Sequence, residues 1–131
     1  MFFFGYNLKM KKALFLLFLI LTPPLLAQNY TTDEARQHIG EYATVCGYVS
    51  GGYYAKHTHK QPTFINLDGV YPHHRFSIVI WGSNRSEFQN PQKDYLGKKI
   101  CVSGRIGSYR GKAQMIIEIP EQILVLTKEK I

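Results

Sequence analysis

The segment KKICVSGRIGSYRGKAQMIIEI, residues 98–119, constrains the fold more than any other part of the chain. Ile100, Val102, Gly104 and Ile106 recur at period two, and Lys99, Cys101, Ser103 and Arg105 fill the alternate positions. One side of a strand is therefore apolar and the other polar. A turn centred on Arg110-Gly111 follows, after which Met115, Ile117 and Ile119 resume the apolar side. The pattern predicts a long β-hairpin with one side in a core and the other carrying Arg105, Tyr109, Arg110 and Lys112. Gly104 in mid-strand suits a sharply bent strand or a close neighbouring backbone, as small closed barrels require.

The preceding chain supplies the partners such a hairpin needs. Thr31 can cap a short helix with Glu34 three residues on, Ala35 and Ile39 share its apolar face, and Gly40 ends it. Arg36 and His38 then face water. Val45, Gly47 and Val49 alternate with Thr44, Cys46 and Tyr48 in a first strand, which Gly51-Gly52 breaks or bulges before Tyr53-Tyr54. AKHTHKQP, residues 55–62, reads as an exposed loop. Residues 63–67 form a second strand with Ile65 and Leu67 on one face and Phe64 and Asn66 on the other. Asp68-Gly69 turns the chain. FSIVIW, residues 76–81, is a third strand whose inward face periodicity leaves open, because both faces are apolar. Asn90-Pro91 has the form of a cap followed by a first-turn proline, predicting a short helix over 91–96. The tail from 123 has no clear pattern. The order is helix, three strands, short helix, two strands. This predicts an all-β, five-stranded oligonucleotide/oligosaccharide-binding (OB) barrel, and the insert after the third strand argues against an SH3-like barrel.

Length allows one domain in 131 residues. Lys11 and Lys12 precede an apolar run over 13–21, then Thr22-Pro23-Pro24 and a small residue, Ala27, before Gln28. That is a secretory signal pattern over 1–27, with Met10 an alternative start, leaving a single domain over 28–131. The run is short and proline-interrupted for a membrane span, so no span is expected after signal removal. The expected location is periplasmic or secreted. The formal charge is +7; without Lys9, Lys11 and Lys12, 13 basic residues stand against 9 acidic ones. That excess permits polyanion binding without establishing it.

Export places two cysteines in an oxidising compartment. Cys46 and Cys101 both fall out of phase with the apolar residues of the first and fourth strands, which are antiparallel neighbours in an OB barrel. A cross-strand disulfide is expected, the alternative being two shielded thiols. His57, His59, His73 and His74 invite a metal reading, but they lie on two loops without a Cys or paired carboxylate. No metal or cofactor is expected. Asp68, Glu87, Asp94 and Glu118 are scattered, no nucleophile–base spacing stands out, and the chain reads as a binder rather than an enzyme.

OB barrels engage ligands through their second and third strands and two flanking loops. The candidate nucleic-acid contacts are accordingly Tyr53, Tyr54, Lys56, Lys60, Phe64, Asn66, Arg75, Trp81, Arg105, Tyr109, Arg110 and Lys112. Cations track phosphates and rings stack bases, at about 1–3 kcal/mol per base.

Five stretches carry a family likeness: His38-Ile39-Gly40, Thr44-Val45-Cys46-Gly47-x-Val49, residues 61–68 (QPTFINLD), residues 76–82 (FSIVIWG) and residues 97–106 (GKKICVSGRI). Over about residues 39–123 the chain resembles small exported bacterial OB-fold proteins to which nucleic-acid or DNA binding is ascribed. Similar domains occur on secreted nucleases. The resemblance implies an OB fold and nucleic-acid binding; the His-bearing loop departs from the group pattern. The expected function is non-enzymatic binding of single-stranded DNA or RNA, weak and salt-dependent, with a secreted nuclease or envelope protein as a further partner. The rival is an envelope module for a protein or saccharide, and metal-dependent hydrolysis stands third.

Overall fold

The computed structural model describes residues 28–126, so the signal pattern and the last five residues lie outside it. The chain runs β1 (Asn29–Thr31), α1 (Thr32–Ala35), β2 (Tyr42–Tyr54), β3 (Thr63–Leu67) and β4 (Phe76–Ile80). A 3₁₀ segment (Gly82–Glu87) and α2 (Pro91–Asp94) follow, then β5 (Lys99–Tyr109), β6 (Lys112–Ile116), a 3₁₀ turn (Pro120–Gln122) and β7 (Ile123–Val125). β2, β3, β4, β6 and β5 form a ring that closes through antiparallel β2–β5 pairing. β4 and β6 pair in parallel. This is the all-β, OB-like barrel, with the expected five strands as β2 to β6.

Alternation drives the closure. Val45, Ile65, Leu67, Phe76, Ile78, Ile80, Ile100, Val102, Ile106, Met115 and Ile117 are all fully buried in one core. Each such side chain contributes about 1.5–3 kcal/mol by leaving water. β4 resolves the open question of its inward face: Phe76, Ile78 and Ile80 point into the barrel, while Val79 is buried on the other side. Gly104 is inward, and a Cβ there would stand 3.0 Å from Met115 Sδ, so its bareness makes room for that side chain. Arg110 and Gly111 both adopt positive φ, as a tight two-residue hairpin turn requires.

Several expectations need correction. α1 has the predicted capping box, with Thr31 Oγ1 accepting the Glu34 N–H and Glu34 Oε1 accepting the Thr31 N–H. It ends at Ala35, however, and Ile39 is 45% exposed instead of sharing its buried face. The chain turns instead, His38 stacks on Tyr30 at 3.8 Å, and the Gly40 N–H donates to Ile106 O. His38 is accordingly half-buried, not fully turned to water. Ile119 is also 45% exposed, because β6 ends at Ile116 and the chain leaves the sheet toward Pro120. Asn90 does not cap α2. The Asp94 carboxylate accepts its backbone N–H at 2.9 Å, and α2 stops at Asp94, short of Leu96. β1, parallel to β2, and β7, antiparallel to β5, were not foreseen.

Cys46 and Cys101 face each other in the β2–β5 register and are joined by a disulfide, with Cα atoms 4.0 Å apart. Among the described residues, no helix is long and apolar enough to cross a membrane.

Candidate functional site

The outward face of β2–β3–β4–β6 is set by register. Between Val49 and Gly51 a bulge shifts β2 by one residue, so its outward positions change from even to odd numbers. Tyr53 thereby joins the outer face opposite Phe64, while Tyr54 turns inward opposite Thr63. Phe64 pairs with Val79 and Val79 with Ile116, completing a row of Tyr53, Phe64, Val79 and Ile116 across four strands. Three interstrand spacings make that row about 14 Å long. Asn66 and Ser77 stand beside it, their side chains 3.4 Å apart.

Trp81 extends this face at the end of β4. The Gly82 N–H donates to Lys60 O at 2.9 Å, and a Cβ on Gly82 would lie 2.8 Å from that oxygen. Glycine therefore lets the 55–62 loop close onto the strand, and Lys60 Nζ comes to rest 5.7 Å from the centroid of the Trp81 ring. Lys56 projects from the same loop.

The second loop lies at the opposite end. Phe76 pairs with Ala113, so the Arg110-Gly111 turn stands beside the start of β4, whereas the 55–62 loop stands beside its end. Five residues of strand separate them, about 17 Å. Tyr109 is exposed there with Arg110 5.3 Å from its ring. The two cationic loops thus flank the row on its two sides, at opposite ends of the strands that it crosses. By the same register His57 and His59 lie at one end and His73 and His74 at the other. Among the described residues no group of three or more metal-ligating side chains gathers.

Four predicted contacts are placed or occupied otherwise. The Tyr54 ring packs under Arg85, whose guanidinium is 3.7 Å away and also donates to Gln92 Oε1. Arg75 is paired with Asp33 at 2.6 Å. Lys112 Nζ donates to the carbonyls of Pro72 and His74, stapling the 70–75 loop to β6. Arg105 belongs to the adjoining β2–β5 face, where it donates to Gly40 O and lies over Tyr42. Lys56, Lys60 and Arg110 have no acidic partner among the described residues. Burial, then the neighbouring Lys112 ammonium, holds the His74 imidazole below its ordinary pKa. Its Nδ1 is buried without a hydrogen-bond partner among the described residues.

Sequence reasoning missed Ile116 as part of this face. Ile116 breaks the odd-numbered apolar phase of 115, 117 and 119, and an apolar residue at an outward position is the signal that could have found it.

No family model and no curated protein sequence matches the chain. Solved structures do. The chain is similar to part of RecG, with a TM-score of 0.55 and 17% identity, over 79% of this chain and 13% of that one; RecG was solved bound to a three-way DNA junction. It is also similar to the OBody AM1L10, solved bound to hen egg-white lysozyme, with a TM-score of 0.50 and 12% identity, over 81% of this chain and all of that one. At such identities the likeness is one of fold.

Proposed function

We propose that this protein is an exported, non-enzymatic binder of single-stranded nucleic acid, DNA or RNA, held weakly across the β2–β3–β4–β6 face. The observation that carries the reading is the outer-face set of exposed Tyr53, half-buried Phe64 and exposed Ile116, packed around buried Val79 and extended by Trp81 with Lys60 above it. Flat rings on an open sheet suit unstacked bases, which need a surface and no particular edge. Lys56 and Lys60 at one end and Arg110 at the other suit a backbone entering and leaving. RecG, which shares the fold, supports the reading in that its solved structure holds DNA. Export is supported by the N-terminal signal pattern together with the Cys46–Cys101 bridge, which suits an oxidising periplasmic or extracellular compartment. The rival reading, a module for a protein partner in the envelope, has support from the OBody, which holds a protein on this fold.

The two readings separate on salt. An oligo-dT of about twelve nucleotides, within the range one OB fold covers, is titrated while Trp81 fluorescence is followed. With three free cations, log K should fall with log salt at a slope of about −2. Phe64→Ala should weaken binding by about 1–3 kcal/mol with the fold intact by circular dichroism. Absent binding at low salt, or binding indifferent to salt, refutes the nucleic-acid reading.

A further inference from the structure

At its β5 edge the ring-bearing face runs into a groove of about 480 Å³, bounded by β5, β6 and the chain that follows β6. We propose that this groove is a subsite for one nucleobase of the bound strand and that it selects guanine. The proposal rests on the single-strand reading above, since Ile116 belongs both to the row and to the groove wall.

The groove is built rather than incidental. Gly107 faces outward at its floor, where a Cβ would meet Gln114 only at an ordinary 3.8 Å, so no crowding demands glycine there. The missing side chain leaves the floor open. The far wall is locked by Gln122: its Oε1 accepts the N–H of Glu118 at 2.9 Å and of Ile119 at 3.2 Å, and its Nε2 donates to Ser103 O at 3.0 Å. On the near side the Arg105 guanidinium is held by Gly40 O at 2.7 Å and lies 5.5 Å from the Tyr42 ring centroid, with further N–H donors unspent. The Gln114 amide and the Glu118 carboxylate make no side-chain hydrogen bond to any described residue.

The polar set decides the occupant. A phosphate offers only acceptors and negative charge, which Glu118 opposes. A base offers flat faces for Ile116 and Tyr42 and an edge with both donors and acceptors. Guanine presents N1–H and its amino group side by side, which a carboxylate accepts together, while its O6 and N7 suit a guanidinium. Thymine and adenine lack that adjacent donor pair, and cytosine offers its amino group alone.

The test uses oxidised protein expressed from the full chain. An oligo-dT carries a single guanine at successive positions, and affinity is read by Trp81 fluorescence. One register should bind about tenfold tighter than plain oligo-dT. Adenine at that position should give no gain, and in Glu118→Ala the ratio of guanine-bearing to plain oligo-dT affinity should fall to about one; a ratio that stays near ten overturns the guanine subsite. Binding of oligo-dT with no guanine gain in any register overturns the subsite and leaves the strand reading standing. If oligo-dT does not bind, dGMP and dTMP are compared by the amide shifts of Gly107 and Gln114. Shifts produced by dGMP alone and lost in Glu118→Ala sustain the subsite while the strand reading falls. Equal shifts with both nucleotides, or none, overturn it.

Discussion

The Cys46–Cys101 bridge spans a sequence separation of 55, and its removal provides the most quantitative test of how this barrel is held. Closing a loop of that length in the unfolded chain costs about 14 cal/mol/K in the chain-entropy model, or about 4 kcal/mol at 25 °C. In the folded state the two strands are already aligned by seven β2–β5 residue pairs and by the burial of Val45, Ile100 and Val102 beneath them. The cysteines point to the other side, so Cys46→Ser with Cys101→Ser leaves the core untouched. Almost the whole effect should therefore fall on the unfolded state. Urea unfolding should show a lower midpoint together with a steeper denaturant dependence, because the unbridged chain exposes more surface. The melting temperature should drop by about 15–30 °C for a domain of this size. A loss below about 1 kcal/mol with an unchanged slope would refute the reasoning, since it would mean that the bridge scarcely restrains the unfolded chain.

The paired glycines of β2 should behave oppositely. Gly52→Ala puts a Cβ 2.8 Å from Phe64 O and 3.0 Å from Gln92 Cβ, and should cost about 1–3 kcal/mol in thermal unfolding. Gly51→Ala meets nothing within 4 Å and should be close to neutral; equal effects would contradict the bulged register. The adjacent tyrosines divide in the same way: Tyr53→Ala should weaken oligo-dT binding with little change in stability, and Tyr54→Ala, which strips the ring from under Arg85, should lower stability first. For His74 the folded-state pKa is depressed, so the unfolded chain takes up the proton first and stability falls as pH drops below about 6.5. That loss levels off once the folded-state pKa is passed. Urea midpoints at pH 7.5 and 5.5 should differ less in His74→Phe than in the parent, and an identical difference would remove His74 as the cause.

The barrel was legible because its strands carry clean alternation. Ile100, Val102, Gly104 and Ile106 are all buried as the period predicts, and Cys46 and Cys101 fall on the outer side together. What was not legible depends on long-range contacts. β1 has three residues and exists only because β2 offers it an edge, with Tyr30 opposite Val45. β7 likewise leans on β5, and Ile123 alone of its residues is buried. Asn90 shows the local rule losing to a competitor, since Asp94 reaches back to the N–H at that helix start. For the candidate face, residue types were readable but their directions were not. Nothing local in Lys112 or Arg75 reveals that one would be taken by the carbonyls of Pro72 and His74 and the other by Asp33.

The bulge at Val49–Gly51 links these outcomes. β2 is a single strand of thirteen residues that serves two outer surfaces. Its first half pairs with β5 and points Tyr42, Thr44, Cys46 and Tyr48 outward, where the disulfide and the contacts of Thr44 with Ser103 and Tyr48 with Lys99 tie the barrel shut. Its second half pairs with β3. Without the one-residue shift, the even-numbered phase would carry on and send Tyr54 outward and Tyr53 into the mouth of the barrel. With it, Tyr53 reaches the open face beside Phe64, and Tyr54 becomes part of the packing under Arg85. Gly51 and Gly52 make the shift feasible, because position 51 faces open space and position 52 packs directly on the Phe64 carbonyl. Closure and the aromatic face are thus assigned to separate halves of one strand. Ser50 is the residue left without a β3 partner, so its deletion should remove the bulge while keeping the disulfide, the Gly51–Asn66 and Tyr53–Phe64 pairs and affinity for oligo-dT. Lost affinity in that folded variant would show that binding depends on the bulge itself and not on this row.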